Sequence, residues 1–63
     1  MLKFLKDEHE DLRWNVTCGV YDIGCIIDDG CIFYVPKVGR LTRENMLGIL
    51  DAMDRLEDGK PLS

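Results

Sequence analysis

The chain has 63 residues, with 12 acids against 8 lysines and arginines, a formal net charge of −4 and 46% hydrophobic residues. Such a length admits one domain with one core, and the hydrophobic share is that of a globular chain and not a disordered one. The negative balance argues against general attraction to nucleic acid or anionic membranes, and no segment approaches the ~20 apolar residues that a membrane helix needs. Met1-Leu-Lys-Phe-Leu-Lys6 is also too short an apolar run for a secretory signal, so a cytoplasmic protein with no membrane contact is expected.

In residues 1–11, Leu2, Leu5, His9 and Leu12 share one helical face, and a short N-terminal helix is expected, although Leu2 and Phe4 suit a strand equally well. From Leu12 to Tyr21 the alternation is strict. Leu12, Trp14, Val16, Cys18 and Val20 fall on one face, with Arg13, Asn15, Thr17, Gly19 and Tyr21 on the other. Asp28-Asp29-Gly30 lies between apolar runs and reads as a hairpin, since glycine accepts positive φ without steric cost. Asp22-Ile23-Gly24 is the weaker signal for a second turn, and Pro36, which has no N–H to donate, ends the last strand. The expected sheet is therefore a three-stranded antiparallel meander over residues 12–36, with Cys25 to Ile27 in its middle strand. If the two loops are of equal length, Ile32 and Tyr34 side with Val20. Tyr21, Cys31, Phe33 and Val35 then occupy the opposite face, joined by one of Ile26 and Ile27.

Thr42 reads as a helix N-cap, with Leu41 and Met46 placed as a hydrophobic staple and Asn45 standing where a full capping box has Glu or Gln. Met46, Ile49, Leu50, Met53 and Leu56 form the expected inward stripe, with Glu44, Asp51 and Arg55 opposite and Gly48 toward the polar side. Gly59 and Pro61 stop the helix, which is expected over 42–58 with 59–63 as a tail. The fold class is α+β, a single domain whose C-terminal helix packs on one face of the sheet.

Little chemistry is written in this sequence. Cys18, Cys25 and Cys31 are odd in number and spaced by seven and six, which fits neither a disulfide framework nor a zinc site, so they read as small buried hydrophobes. His9 stands among acids without metal-ligand spacing, Ser63 is the only serine, and no cysteine has a neighbouring histidine. Asp28 and Asp29 are explained by their turn. No catalytic residue, cofactor or metal ligand is expected, and the chain reads as a non-enzyme. Lys37, Arg40 and Arg43 precede and open the helix, where free N–H groups can hold anions, but a solvated loop is the simpler account. Likewise Asp51, Asp54, Glu57 and Asp58 are more simply a solvated helix face than a phosphate mimic.

One helix covers one face of a sheet. The leading expectation is therefore an interaction protein, a regulator or inhibitor that meets another protein, or a second copy of itself in a homodimer, through Tyr21, Cys31, Phe33 and Val35. An acidic nucleic-acid mimic is the alternative, and a nucleic-acid-binding accessory using Lys37, Arg40 and Arg43 is the third reading. In size and acidity the chain resembles, in a general sense, the compact accessory proteins encoded by phages, which implies a binding role. The cysteine reading is tested directly: thiol titration of the denatured protein should recover three thiols, and elemental analysis should find no stoichiometric zinc.

Overall fold

Alternating side chains build four strands instead of three in the computed structural model, which describes residues 1–62. They are β1 (Leu2–Lys6), β2 (Arg13–Cys18), β3 (Tyr21–Asp29) and β4 (Cys31–Pro36), and they precede the single helix α1 (Arg43–Glu57). The sheet is an antiparallel meander in the order β1-β2-β3-β4. The class is α+β.

The expected N-terminal helix is a strand. Leu2 pairs with Cys18 and Phe4 with Val16, so the backbone groups of β1 find partners on β2, and both side chains reach the core. A short helix without an N-cap leaves its terminal N–H groups unsatisfied and is costly to nucleate. The acidic run that follows is the connecting loop, in which Asp7 Oδ1 accepts from the N–H groups of His9 and Glu10 at 2.8 and 3.0 Å.

The first sheet turn also differs from expectation. β2 stops at Cys18, Gly19 and Val20 make a two-residue turn, and Val20 is solvent-exposed instead of sharing the core face. Gly19 has φ 63° and no described non-glycine residue has positive φ, the pattern of a hairpin turn with glycine at its first central position. Asp22, Ile23 and Gly24 lie inside β3. There Val16 pairs with Gly24 and Thr17 with Asp22, so Ile23 is the extra residue of a β-bulge. A Cβ on Gly24 would lie 2.5 Å from the Val35 carbonyl oxygen and 2.6 Å from the Tyr34 hydroxyl, and the Tyr34 hydroxyl donates to the Ile23 carbonyl at 2.7 Å. The second hairpin forms where expected, with Gly30 at φ 73° and Asp28 paired with Ile32.

Cross-strand pairs then settle the faces. Val16, Trp14, Ile26 and Tyr34 stand with Ile32 on the side that α1 covers, where Ile49 and Ala52 complete the core. Lys6 closes the rim, its Nζ 5.0 Å from the centre of the Trp14 ring.

Thr42 caps α1 as expected, its Oγ1 accepting from Asn45 N–H at 3.1 Å. At the other end Lys60 N–H donates to the Arg55 carbonyl and Gly59 N–H to that of Leu56, a Schellman stop with Gly59 at φ 75°. The expected tail is not free of the core, because Leu62 packs against it, whereas Ser63 lies outside the described residues. The inward stripe is rotated from its expected position. Ile49, Ala52, Met53 and Leu56 face the sheet, while Leu50 is 55% exposed. Gly48 is half-buried and not on the polar side: a Cβ there would lie 2.6 Å from Leu2 Cδ1. Leu2 of β1 thus packs over the glycine face of the helix, while Leu50 points outward.

Two substitutions test this arrangement. Gly24→Ala should unfold the chain or lower its stability by about 2–4 kcal/mol, since the added methyl meets backbone at a strained φ and a small domain has about that much to lose. Leu50→Asp should leave the thermal midpoint of the dilute, monomeric chain within a few degrees, because that side chain is not in the core. Thermal melts followed by circular dichroism check both.

Candidate interaction surface

The face of the sheet away from α1 is built by the alternate residues of each strand. On β4 these are Cys31, Phe33 and Val35; on β3 they are Cys25 and Ile27; on β2, Arg13 and Asn15. Ile27 pairs with Phe33 and Cys25 with Val35, so four apolar side chains form a contiguous block across the two strands. Phe33 is 46% and Val35 42% exposed, whereas Cys25 is buried between its cross-strand partners Asn15 and Val35. Leu5 on β1 adds an exposed apolar group beyond Asn15, and Leu12 lines the same hollow as Ile27.

Of the residues expected on this face, Cys31, Phe33 and Val35 are brought together and Tyr21 is not. Tyr21 pairs with Cys18 and stands at the end of the helix-covered side, exposed beside the turn. The bulge at Ile23 is the reason: one extra residue reverses the parity of everything before it on β3. Leu5 and Leu12 were missed as members of the face. The alternation of Leu2 and Phe4 would have placed Leu5 outward had the segment been read as a strand, and an isolated glycine inside a strand pattern, here Gly24, is the usual mark of a bulge.

Charged pairs bound the block at both ends. At one end Asn15 Nδ2 donates to Asp7 Oδ2 at 3.0 Å, Arg13 Nε donates to Asn15 Oδ1 at 2.9 Å, and the same nitrogen lies 3.8 Å from Asp7. At the other end Lys37 Nζ donates to Asp22 Oδ2 at 2.6 Å. These hydrogen bonds hold Asp22 below its ordinary carboxylate range, chiefly through Lys37. The bond from Asn15, then the N–H groups of His9 and Glu10 and the nearby Arg13, bring Asp7 down from 3.8 to about 2. An apolar centre inside a polar rim is the usual anatomy of a protein interface.

The other candidates separate. Cys25 is buried, but Cys18 is half-buried and Cys31 exposed, so the expectation of three buried cysteines holds only for the first; all three are free thiols. Cys31 begins an edge strand, where the short run after Gly30 leaves it uncovered. Among the described residues no group of three or more His, Cys, Asp or Glu is placed to hold a metal ion, and His9 is exposed in its loop. Of the expected basic cluster, Lys37 is paired with Asp22. No described helix is long and apolar enough to cross a membrane.

The surface as a whole is large. A compact monomer of 7.2 kDa exposes about 4,100 Å² by the scaling of folded proteins, whereas this chain exposes 4678 Å². No protein-family model, no curated protein and no solved structure matches the chain.

The rim has a measurable pH signature. Because the folded state lowers the Asp7 pKa from 3.8 to about 2, its stabilising contribution is complete above pH 3.8 and lost as pH falls through 2. Asn15→Ala removes the largest cause of that shift. Chemical-shift titration of the Asp7 carboxyl should show its pKa rising toward 3.8 in the variant, and the acid loss of stability, which begins near pH 3.8 in both proteins, should be smaller and end at a higher pH.

Proposed function

We propose that this chain is a non-enzymatic interaction module that docks its open sheet face on an apolar surface of another protein, and so regulates or inhibits it by occupancy. The single observation that carries the reading is the apolar block opposite α1, where Leu5, Leu12, Phe33 and Val35 are exposed around the half-buried Ile27 and the buried Cys25. Burying ~300–400 Å² of such surface releases ~8–10 kcal/mol gross at ~25 cal/mol per Å², before association and side-chain ordering costs are subtracted. Asp7 with Arg13, and Asp22 with Lys37, neutralise one another inside the rim, which supports binding through the apolar centre over long-range charge.

The acidic-mimic reading rests on Asp51, Asp54, Glu57 and Asp58, all exposed on or just after α1. The two readings differ in salt response. A mimic loses affinity steeply as salt rises, whereas an apolar sheet-face binder changes little. The nucleic-acid accessory reading retains Arg40 and Arg43, and labelled DNA or RNA at low salt tests it.

Affinity capture from a lysate of the source cells, with the intact chain and Phe33→Glu compared at low and high salt, is the deciding experiment. The intact chain should recover a partner at both salts, and the substitution should weaken that partner's binding about tenfold or more. Equal recovery by the two proteins sinks the proposal. A partner lost only at high salt and indifferent to Phe33 would replace it with the acidic mimic, and a homodimer dissolved by Phe33→Glu would make a second copy the occupant.

A further inference from the structure

A second apolar surface lies on the flank of α1, on the far side of the molecule from the sheet face just described. Leu47 and Leu50 are each 55% exposed and Met46 is nearly as exposed, although Ile49 and Ala52 already supply the helix's core contacts. Arg43, Leu47, Leu50, Asp54 and Glu57 recur at alternating four- and three-residue spacing, the stripe of a coiled-coil seam. Two leucines occupy its middle, a cation its first turn and acids its last turns.

The charges on this stripe oppose their own helix. Cations favour the C-terminal end of a helix and anions the N-terminal end, so Arg43 at the start and Asp54 and Glu57 toward the end are each unfavourably placed against the dipole. Glu44 and Arg55 obey the rule, and Arg55 is paired with Asp51 at 3.4 Å. Among the described residues Arg43, Asp54 and Glu57 form no ion pair. A stripe with apolar groups in water and charges on the wrong ends is a local conflict, and such conflicts concentrate where a second surface resolves them.

We propose that α1 pairs with α1 of a second copy of this chain, antiparallel about a two-fold axis that crosses the seam between Leu47 and Leu50. In that register Leu47 of each copy meets Leu50 of the other, and Arg43 of each meets Asp54 of the other. A parallel pairing would stack Arg43 on Arg43 and Asp54 on Asp54, which excludes it. Antiparallel helix dipoles also attract. Beside the seam, Tyr34, Leu41, Met46, Leu50 and Met53 line an open groove of about 370 Å³ with Ile49 at its floor, which receives the neighbour's side chains. The other border is less favourable, since Glu44 comes opposite Asp51, and Arg55 offsets part of that repulsion. This surface is independent of the sheet face, so the dimer presents two copies of the partner-binding face at once.

Sedimentation equilibrium of the full chain from micromolar to millimolar concentration tests the proposal. The intact protein should dimerise. Leu47→Lys, Arg43→Glu and Asp54→Arg should each raise the dimer Kd about tenfold or more, whereas Phe33→Glu should leave it unchanged. R43E combined with D54R in one chain reverses both cross-copy pairs and should restore the dimer close to the original Kd. The combination replaces exposed groups only, so it remains decisive if Leu47→Lys does not fold. A monomer at millimolar concentration overturns the proposal, as does a dimer insensitive to the charge reversals, a double variant no tighter than the single ones, or a dimer dissolved by Phe33→Glu.

Discussion

The backbone of β3 at Gly24 is the constraint on which the rest of this structure depends. Because Gly24 has no side chain, the Tyr34 ring and the Val35 carbonyl approach it closely, and the Tyr34 hydroxyl reaches the Ile23 carbonyl at 2.7 Å. That hydrogen bond is the second one to the Ile23 carbonyl, which also accepts from Lys37 N–H at 2.9 Å. The bulge in turn keeps Ile23 with the core while Cys25 and Ile27 fall on the opposite face. Had β3 run without it, either the residues before Gly24 or those after it would have changed sides. The composition of the open face is therefore a consequence of one glycine, one tyrosine and one extra residue.

A second constraint is simple geometry. A four-stranded sheet has two faces and the chain supplies one fifteen-residue helix. The N-terminal segment, which might have closed the second face, instead lengthens the sheet and sends Leu2 and Phe4 to the core already covered by α1. It thereby widens the open face and adds Leu5 to it. Leu2 also fits the space left by Gly48 on α1. The same strand thus touches α1 at Gly48 and leaves the other face of the sheet uncovered.

The two surfaces differ in their electrostatics in a way that suits different occupants. Around the sheet face Asp22 is paired with Lys37, and Asp7 with Asn15, two backbone N–H groups and Arg13. The apolar centre of this face can be covered without new partners for those two carboxylates. On the α1 flank the charges are segregated along the axis and run against the helix dipole, so a neighbour must present the opposite order. A second α1 in antiparallel orientation does so by symmetry.

The local features of this chain were legible in its residues because each depends on groups at most a few positions apart. The hairpin at Asp28-Asp29-Gly30, the Thr42 cap, the Gly59 stop and the alternation through β2 are all of this kind, and so is the grouping of Cys31, Phe33 and Val35 at every second position. The N-terminal strand, the bulge at Ile23, the exclusion of Tyr21 from the open face and the outward turn of Leu50 were not legible. Leu2 and Phe4 suit helix or strand until β2 offers its edge, and Gly24 marks a turn or a bulge until Tyr34 is placed beside it. The helix stripe has two readings about one side chain apart until α1 packs on the sheet. In each case the sequence determined which residues were apolar and where the chain bends freely, but the choice depended on contacts between segments far apart in the chain, which exist only once the sheet and helix are assembled.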